Sequence, residues 1–93
     1  MTNPDDELIA EAELGEEARK FLESDLGKCL IGMANQEVEA ALIELETVQP
    51  NDVEAIRRLQ NQAKLGRQFE QWLRELVVRG NNAITIFKHQ RSQ

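Results

Sequence analysis

The side chains able to do chemistry in this sequence are few and scattered. His89 is the only histidine and stands in a polar tail, with no second histidine to complete a metal site. It reads as a solvated surface residue. Cys29 is the only cysteine, so no intramolecular disulfide and no thiolate zinc site can form. Cys29 reads as a small buried hydrophobe in a reducing compartment. Carboxylates are plentiful, and Glu13, Glu16 and Glu17, or Glu37 and Glu44, could meet on helix faces. A di-metal carboxylate site in a helical bundle draws on Glu-x-x-His pairs, and the sequence has none. The stretch LGKCLIG lacks the glycine spacing and the preceding strand of a phosphate cradle. No nucleophile, base and metal set assembles, so the expectation is a non-enzyme without cofactors.

The cations are better organised. Arg67, Arg74, Asn81 and Lys88 recur every seven residues and make one ridge, flanked by Lys64, Arg79 and Arg91. Such a ridge can track phosphates or meet an acidic protein partner. The simpler expectation is pairing with Glu13, Glu16, Glu17 and Glu23 of the first helix, brought level with residues 61 to 73. The net charge of −6 argues against strong non-specific DNA binding. Charge is also segregated: residues 1–25 carry −7, residues 26–56 carry −5 and residues 57–93 carry +6. The acidic half could instead imitate DNA towards a nucleic-acid-binding protein. Nucleic acid or nucleotide is thus a conceivable partner but not the favoured one.

The elements that must hold these residues are helical. Ninety-three residues, 41% apolar and 30% charged, suit one folded domain over 1–93 with a thin core. No leader-like segment opens the chain and no apolar run is long enough for a bilayer, which predicts a cytoplasmic protein with no membrane contact. Helix 1 is expected over about 6–23, with Asp5, Asp6 and Glu7 at its positive end. Gly15 weakens it. A break is expected at Ser24, a residue suited to cap the next helix. Against a break, Leu14, Ala18, Leu22, Leu26 and Leu30 recur every four residues through it. Helix 2, about 25–47, aligns Leu30, Ala34, Val38, Ala41, Leu45 and Val48 on one face. Gly27 and Gly32 are small enough for a neighbouring backbone to approach, or are merely tolerated. Pro50 ends helix 2, and Asn51 with Glu54 reads as a capping box for helix 3, about 52–88.

Helix 3 carries two apolar stripes. Ile56, Leu59, Ala63, Gly66, Leu73, Val77, Gly80, Ile84 and Phe87 form one, with Glu70 at a position where an apolar residue is due. Leu65, Phe69, Trp72 and Leu76 form the other. Two adjoining stripes need two neighbours. The predicted fold class is all-α: a three-helix antiparallel bundle or helical hairpin with a long C-terminal helix, assembling into a larger bundle. If helix 1 turns back at Ser24, it lies along the first half of helix 3, and nothing in the subunit covers Leu76, Val77, Ile84 or Phe87. The expected interface is then Phe69, Trp72, Leu73, Leu76, Val77, Ile84 and Phe87. If helices 1 and 2 are continuous, Leu14, Ala18 and Phe21 cover the tail instead. Gly80 is as suited to a close approach on the seam as to a helix stop.

Two stretches, FLESDLGKCLIGMANQEVEAALIEL and LQNQAKLGRQFEQWLRELVVRGNNA, carry a resemblance over about residues 14 to 83. Phe21-Leu22 precedes Ser24-Asp25-Leu26-Gly27, a helix ends in the Pro50-Asn51-Asp52 turn, and Leu59-Gln60-Asn61, Phe69 and Trp72-Leu73 follow. In these features the chain resembles small all-helical proteins of tailed bacteriophages and prophages. The resemblance implies a phage origin, a bacterial host cell and no catalytic residues. The expected function is association: a homo-oligomer in a structural or accessory role, with another phage or host protein as a further partner. The alternative is an inhibitor or sequestering protein directed at a host defence or nucleic-acid enzyme.

Overall fold

The computed structural model describes residues 3–92, so the ends of the expected 1–93 domain lie outside the described residues. The described chain is all-helical: α1 spans Pro4–Glu23, α2 Asp25–Thr47 and α3 Val53–Arg91. Each boundary has a local cause. Asn3 caps α1: its side-chain oxygen accepts from the Asp5 amide at 3.1 Å, and Pro4 occupies a first-turn position where no amide donor is needed. Ser24 ends α1 in an extended conformation. Its amide donates to the Lys20 and Phe21 carbonyls, and its hydroxyl donates to the Phe21 carbonyl at 2.6 Å. The interruption expected at Ser24 is therefore present, and the serine closes the helix before it.

The second boundary corrects the expected cap. Asp52, not Asn51, caps α3: its carboxylate accepts from the Ala55 amide at 3.1 Å. Asn51 is used up in the turn that Pro50 begins, closed by the Asp52 amide donating to the Gln49 carbonyl at 3.0 Å. With the cap moved by one residue, Ala55 takes the place where a capping box needs Glu or Gln, so Glu54 is simply a first-turn acid.

α3 runs through Gly80 and the β-branched Ile84-Thr85-Ile86 without interruption. No glycine has positive φ, and the Thr85 hydroxyl donates to the Asn81 carbonyl at 3.0 Å, one turn back. Its basic last turn suits the negative helix end, and the Arg91 guanidinium stacks on Phe87 at 4.8 Å.

Two packing units share the chain, divided within α3 between Gln71 and Trp72. In one, α2 packs antiparallel on the first part of α3. Val38, Ala41, Leu59 and Ala63 form its buried core, flanked by Leu45 and Val48. The predicted α2 stripe is thus the buried face. Cys29 falls off that face and is exposed, contrary to the buried role expected of it. Of the two α2 glycines, Gly27 is buried, whereas Gly32 has open space beside it.

In the other unit, α1 packs antiparallel on the second part of α3. The contact is made by small residues: Gly15 and Ala18 are buried on α1, Gly80 and Ala83 on α3. A Cβ at Gly15 would stand 2.7 Å from the Leu76 carbonyl oxygen and 2.8 Å from the Gly80 Cα. Only glycine on both helices permits this backbone approach. It decides which part of α3 receives α1, and overturns the expectation that helix 1 lies along the first half. The residues repeating every four through Ser24 do not share one buried face: Ala18 is buried, but Leu14 and Leu26 are exposed.

Candidate interaction surface

The expected interface separates into covered and uncovered members. Leu73, Leu76 and Val77 are half-buried in the unit that α1 forms with α3. Ile84 and Phe87 line a small apolar pocket of about 170 Å³, whose other walls include Leu8, Ile9 and Ala12 of α1. The far end of α3 therefore does have a neighbour in the same chain. The reading that nothing covers Leu76, Val77, Ile84 and Phe87 is corrected by the Gly15–Gly80 approach, which seats α1 beside them, although Ile84 stays 40% exposed. Trp72 is 55% exposed and Phe69 half-buried. Leu65, from the same stripe, is 63% exposed. Of the second stripe, Leu65 and Trp72 are open, while Phe69 and Leu76 are half-buried.

The α2–α3 unit has two distinguishable flanks. Hydrogen bonds and charge define the first. The Gln62 side-chain amide donates to the Glu37 carbonyl oxygen and to its carboxylate, both at 3.1 Å. Arg58 faces Glu44 at 4.0 Å. Helical spacing places Met33 on the α2 side with Glu37, four residues away, and Leu65 on the α3 side with Gln62, three residues away. Leu26 lies seven residues before Met33, and Phe69 four after Leu65. Leu26, Met33 and Leu65 are all more than half exposed, so this flank passes from paired polar groups near the turn to an open apolar patch.

The opposite flank is a groove of about 350 Å³. Its floor is Leu42, Leu45 and Ala63, and its rim carries Lys64 and Arg67 with Gln60, Gln68 and Gln71. Arg67 of the predicted basic ridge lies here. Arg74, Lys88 and Arg91 belong to the other unit, where Lys88 and Glu13 both line the small pocket. Two of the α1 acids expected to pair with the ridge have a partner within α1. Glu16 and Glu23 instead hold Arg19 on their own helix, the Arg19–Glu23 contact measuring 2.9 Å. The hydrogen bond from Arg19 keeps the Glu16 carboxyl below its ordinary pKa. Being fully exposed, the pair is screened by solvent.

Among the described residues, no three His, Cys, Asp or Glu side chains are grouped as metal ligands would be, and no helix is long and apolar enough to cross a membrane. His89 is exposed. Comparisons with protein families, with curated proteins and with solved structures find no match. The features that sequence reasoning missed are Gly15 and Ala83, whereas it placed Ala18 against the tail only for continuous helices 1 and 2. Their signal was the spacing of small residues, Ala12-x-x-Gly15-x-x-Ala18 against Gly80-x-x-Ala83, which hydrophobic periodicity weights too little.

Proposed function

We propose that this chain acts by association with copies of itself, in a structural or accessory role in a bacteriophage-infected cell, and not by catalysis. One observation carries the reading, the small interior. Of the six apolar side chains buried among the described residues, four are alanines, and among those residues Leu59 is the only large side chain that is fully enclosed. So little buried volume leaves much of the apolar surface to be removed from water by another copy. The phage setting rests on the resemblance of residues 14 to 83. Thermal unfolding over a hundredfold range of protein concentration tests the association: a self-assembled fold melts higher when more concentrated, and a Tm independent of concentration would overturn the proposal.

The groove rimmed by Lys64 and Arg67 favours a second reading. It offers apolar contact and positive charge together, as a protein sequestering an acidic segment of a host enzyme would need. Binding of an acidic amphipathic peptide, lost on Arg67→Glu, would support it. The same binding with Arg67→Glu unchanged would remove it.

A further inference from the structure

We propose that α1 is a detachable arm: its contact with the second part of α3 opens as a unit while α2 and the first part of α3 stay folded. Opening uncovers Leu76, Val77 and Phe87, half-buried in this unit, so α1 gates access to them. The first support is the thinness of the contact. Its buried residues are Gly15 and Ala18 on α1 and Gly80 and Ala83 on α3. Small residues bring the two backbones together but remove little apolar area from water. The large side chains that α1 offers are not enclosed. Leu8, Phe21 and Leu22 are half-buried, and Ile9 and Leu14 are 43% and 47% exposed. Near the start of α1, Leu8 and Ile9 wall a pocket of about 170 Å³ with Ile84 and Phe87, so the helices do not interlock there. The α2–α3 unit is held differently. It encloses Val38, Ala41, Leu59 and Ala63, and the Gln62 amide ties its helices by donating to the Glu37 carbonyl and carboxylate at 3.1 Å.

Second, α1 is closed by its own residues. Asn3 caps its start, and the Ser24 amide and hydroxyl close its end on the Lys20 and Phe21 carbonyls. Arg19 is held by Glu16 and Glu23 of the same helix. All of these bonds lie within α1 and its caps, so leaving α3 breaks none of them. Third, the chain has a hinge at the base of the arm. Ser24 is extended, with φ −73° and ψ 157°, and interrupts the helix between α1 and α2. Rotation at this one residue swings α1 without unwinding either helix. Segments with few enclosed apolar contacts open below the free energy of global unfolding, and α1 has the anatomy of such a segment.

Hydrogen exchange of the full chain, read by mass spectrometry and corrected for intrinsic rates, tests the proposal. A detached helix of 20 residues is only marginally helical in water, so the α1 amides exchange whenever the arm opens, and those of the α3 tail follow. Residues 8–22 and 76–87 should exchange at least about tenfold faster than residues 34–45 and 56–66. Gly15→Ala, which overpacks the contact, should speed the first group and leave the second unchanged. Leu59→Ala, in the core of the other unit, should speed chiefly the second group. Rates are compared at one protein concentration, so that self-association does not enter the comparison. Equal protection of the two groups, moving together in both variants, makes the chain one cooperative unit and overturns the proposal. Slower exchange in α1 than in α2 overturns it as well. If Gly15→Ala does not fold, the wild-type rates and the response to Leu59→Ala decide the matter.

Discussion

The Gly15–Gly80 approach gives the sharpest single-residue prediction. In an open helix, Gly→Ala adds about 1 kcal/mol through helix propensity. Gly32 is such a site, with nothing within 4 Å of an added Cβ, so Gly32→Ala should stabilise by about that amount. At Gly15 the same methyl group meets the Leu76 carbonyl oxygen at 2.7 Å and the Gly80 Cα at 2.8 Å, where ordinary contact begins at 3.4 Å. Both obstacles are backbone, so no rotamer change relieves them, and α1 and α3 must part by roughly 0.6 Å. Overpacking of this kind costs about 1–3 kcal/mol. Set against the propensity gain, Gly15→Ala should lose about 1 kcal/mol net. For a chain of this length each kcal/mol moves Tm by about 4–8 °C. Thermal unfolding followed by circular dichroism, at one fixed protein concentration, should place Gly32→Ala about 10 °C or more above Gly15→Ala. If Gly15→Ala is as stabilising as Gly32→Ala, α1 does not press on α3 at this point, and the placement of α1 is wrong.

Three further outcomes follow from the same contacts. Asp52→Ala should cost about 1 kcal/mol in chemical denaturation by removing the α3 cap, while Asn51→Ala should stay within a few tenths; the reverse order would restore Asn51 as the cap. Leu59→Ala should cost about 2–5 kcal/mol, since Leu59 is the one large side chain fully enclosed among the described residues, and a loss below about 1 kcal/mol would mean that the α2–α3 core is not where stability resides. The Glu16 carboxyl, held by Arg19, should titrate below the ordinary glutamate value by NMR and return to it in Arg19→Ala. A depressed carboxyl contributes stability above its unfolded pKa and loses it as pH falls through the folded value. Because the pair is fully exposed, that contribution should fade with added salt.

Much of the architecture was readable because its signals are strong and local. The α2 row of Leu30, Ala34, Val38, Ala41, Leu45 and Val48 keeps one helical face, with Val38 and Ala41 buried and the other four half-buried. Pro50 forces a turn, and a break was legible at Ser24, although its type suggested a cap for α2 and its hydroxyl closes α1. What was misread depended on partners distant in sequence. A break at Ser24 says that α1 ends there but not which part of α3 α1 will meet. That choice is made by two glycines 65 residues apart, and an absent side chain leaves no mark on hydrophobic periodicity. Spacing of four drifts around a helix by about 40° per step, so the row from Leu14 to Leu30 looked continuous although Leu14 and Leu26 point to water. For the candidate surface, the existence of a second stripe was legible in Leu65, Phe69 and Trp72. Its separation from the tail residues Ile84 and Phe87, which share a pocket with α1, was not, because that required α1 in place.

Self-association is the central claim, and the mass of the native particle tests it most directly. Sedimentation equilibrium at micromolar concentration should give at least twice the 10.6 kDa of one chain. A wild-type particle of 10.6 kDa across that range would contradict the account.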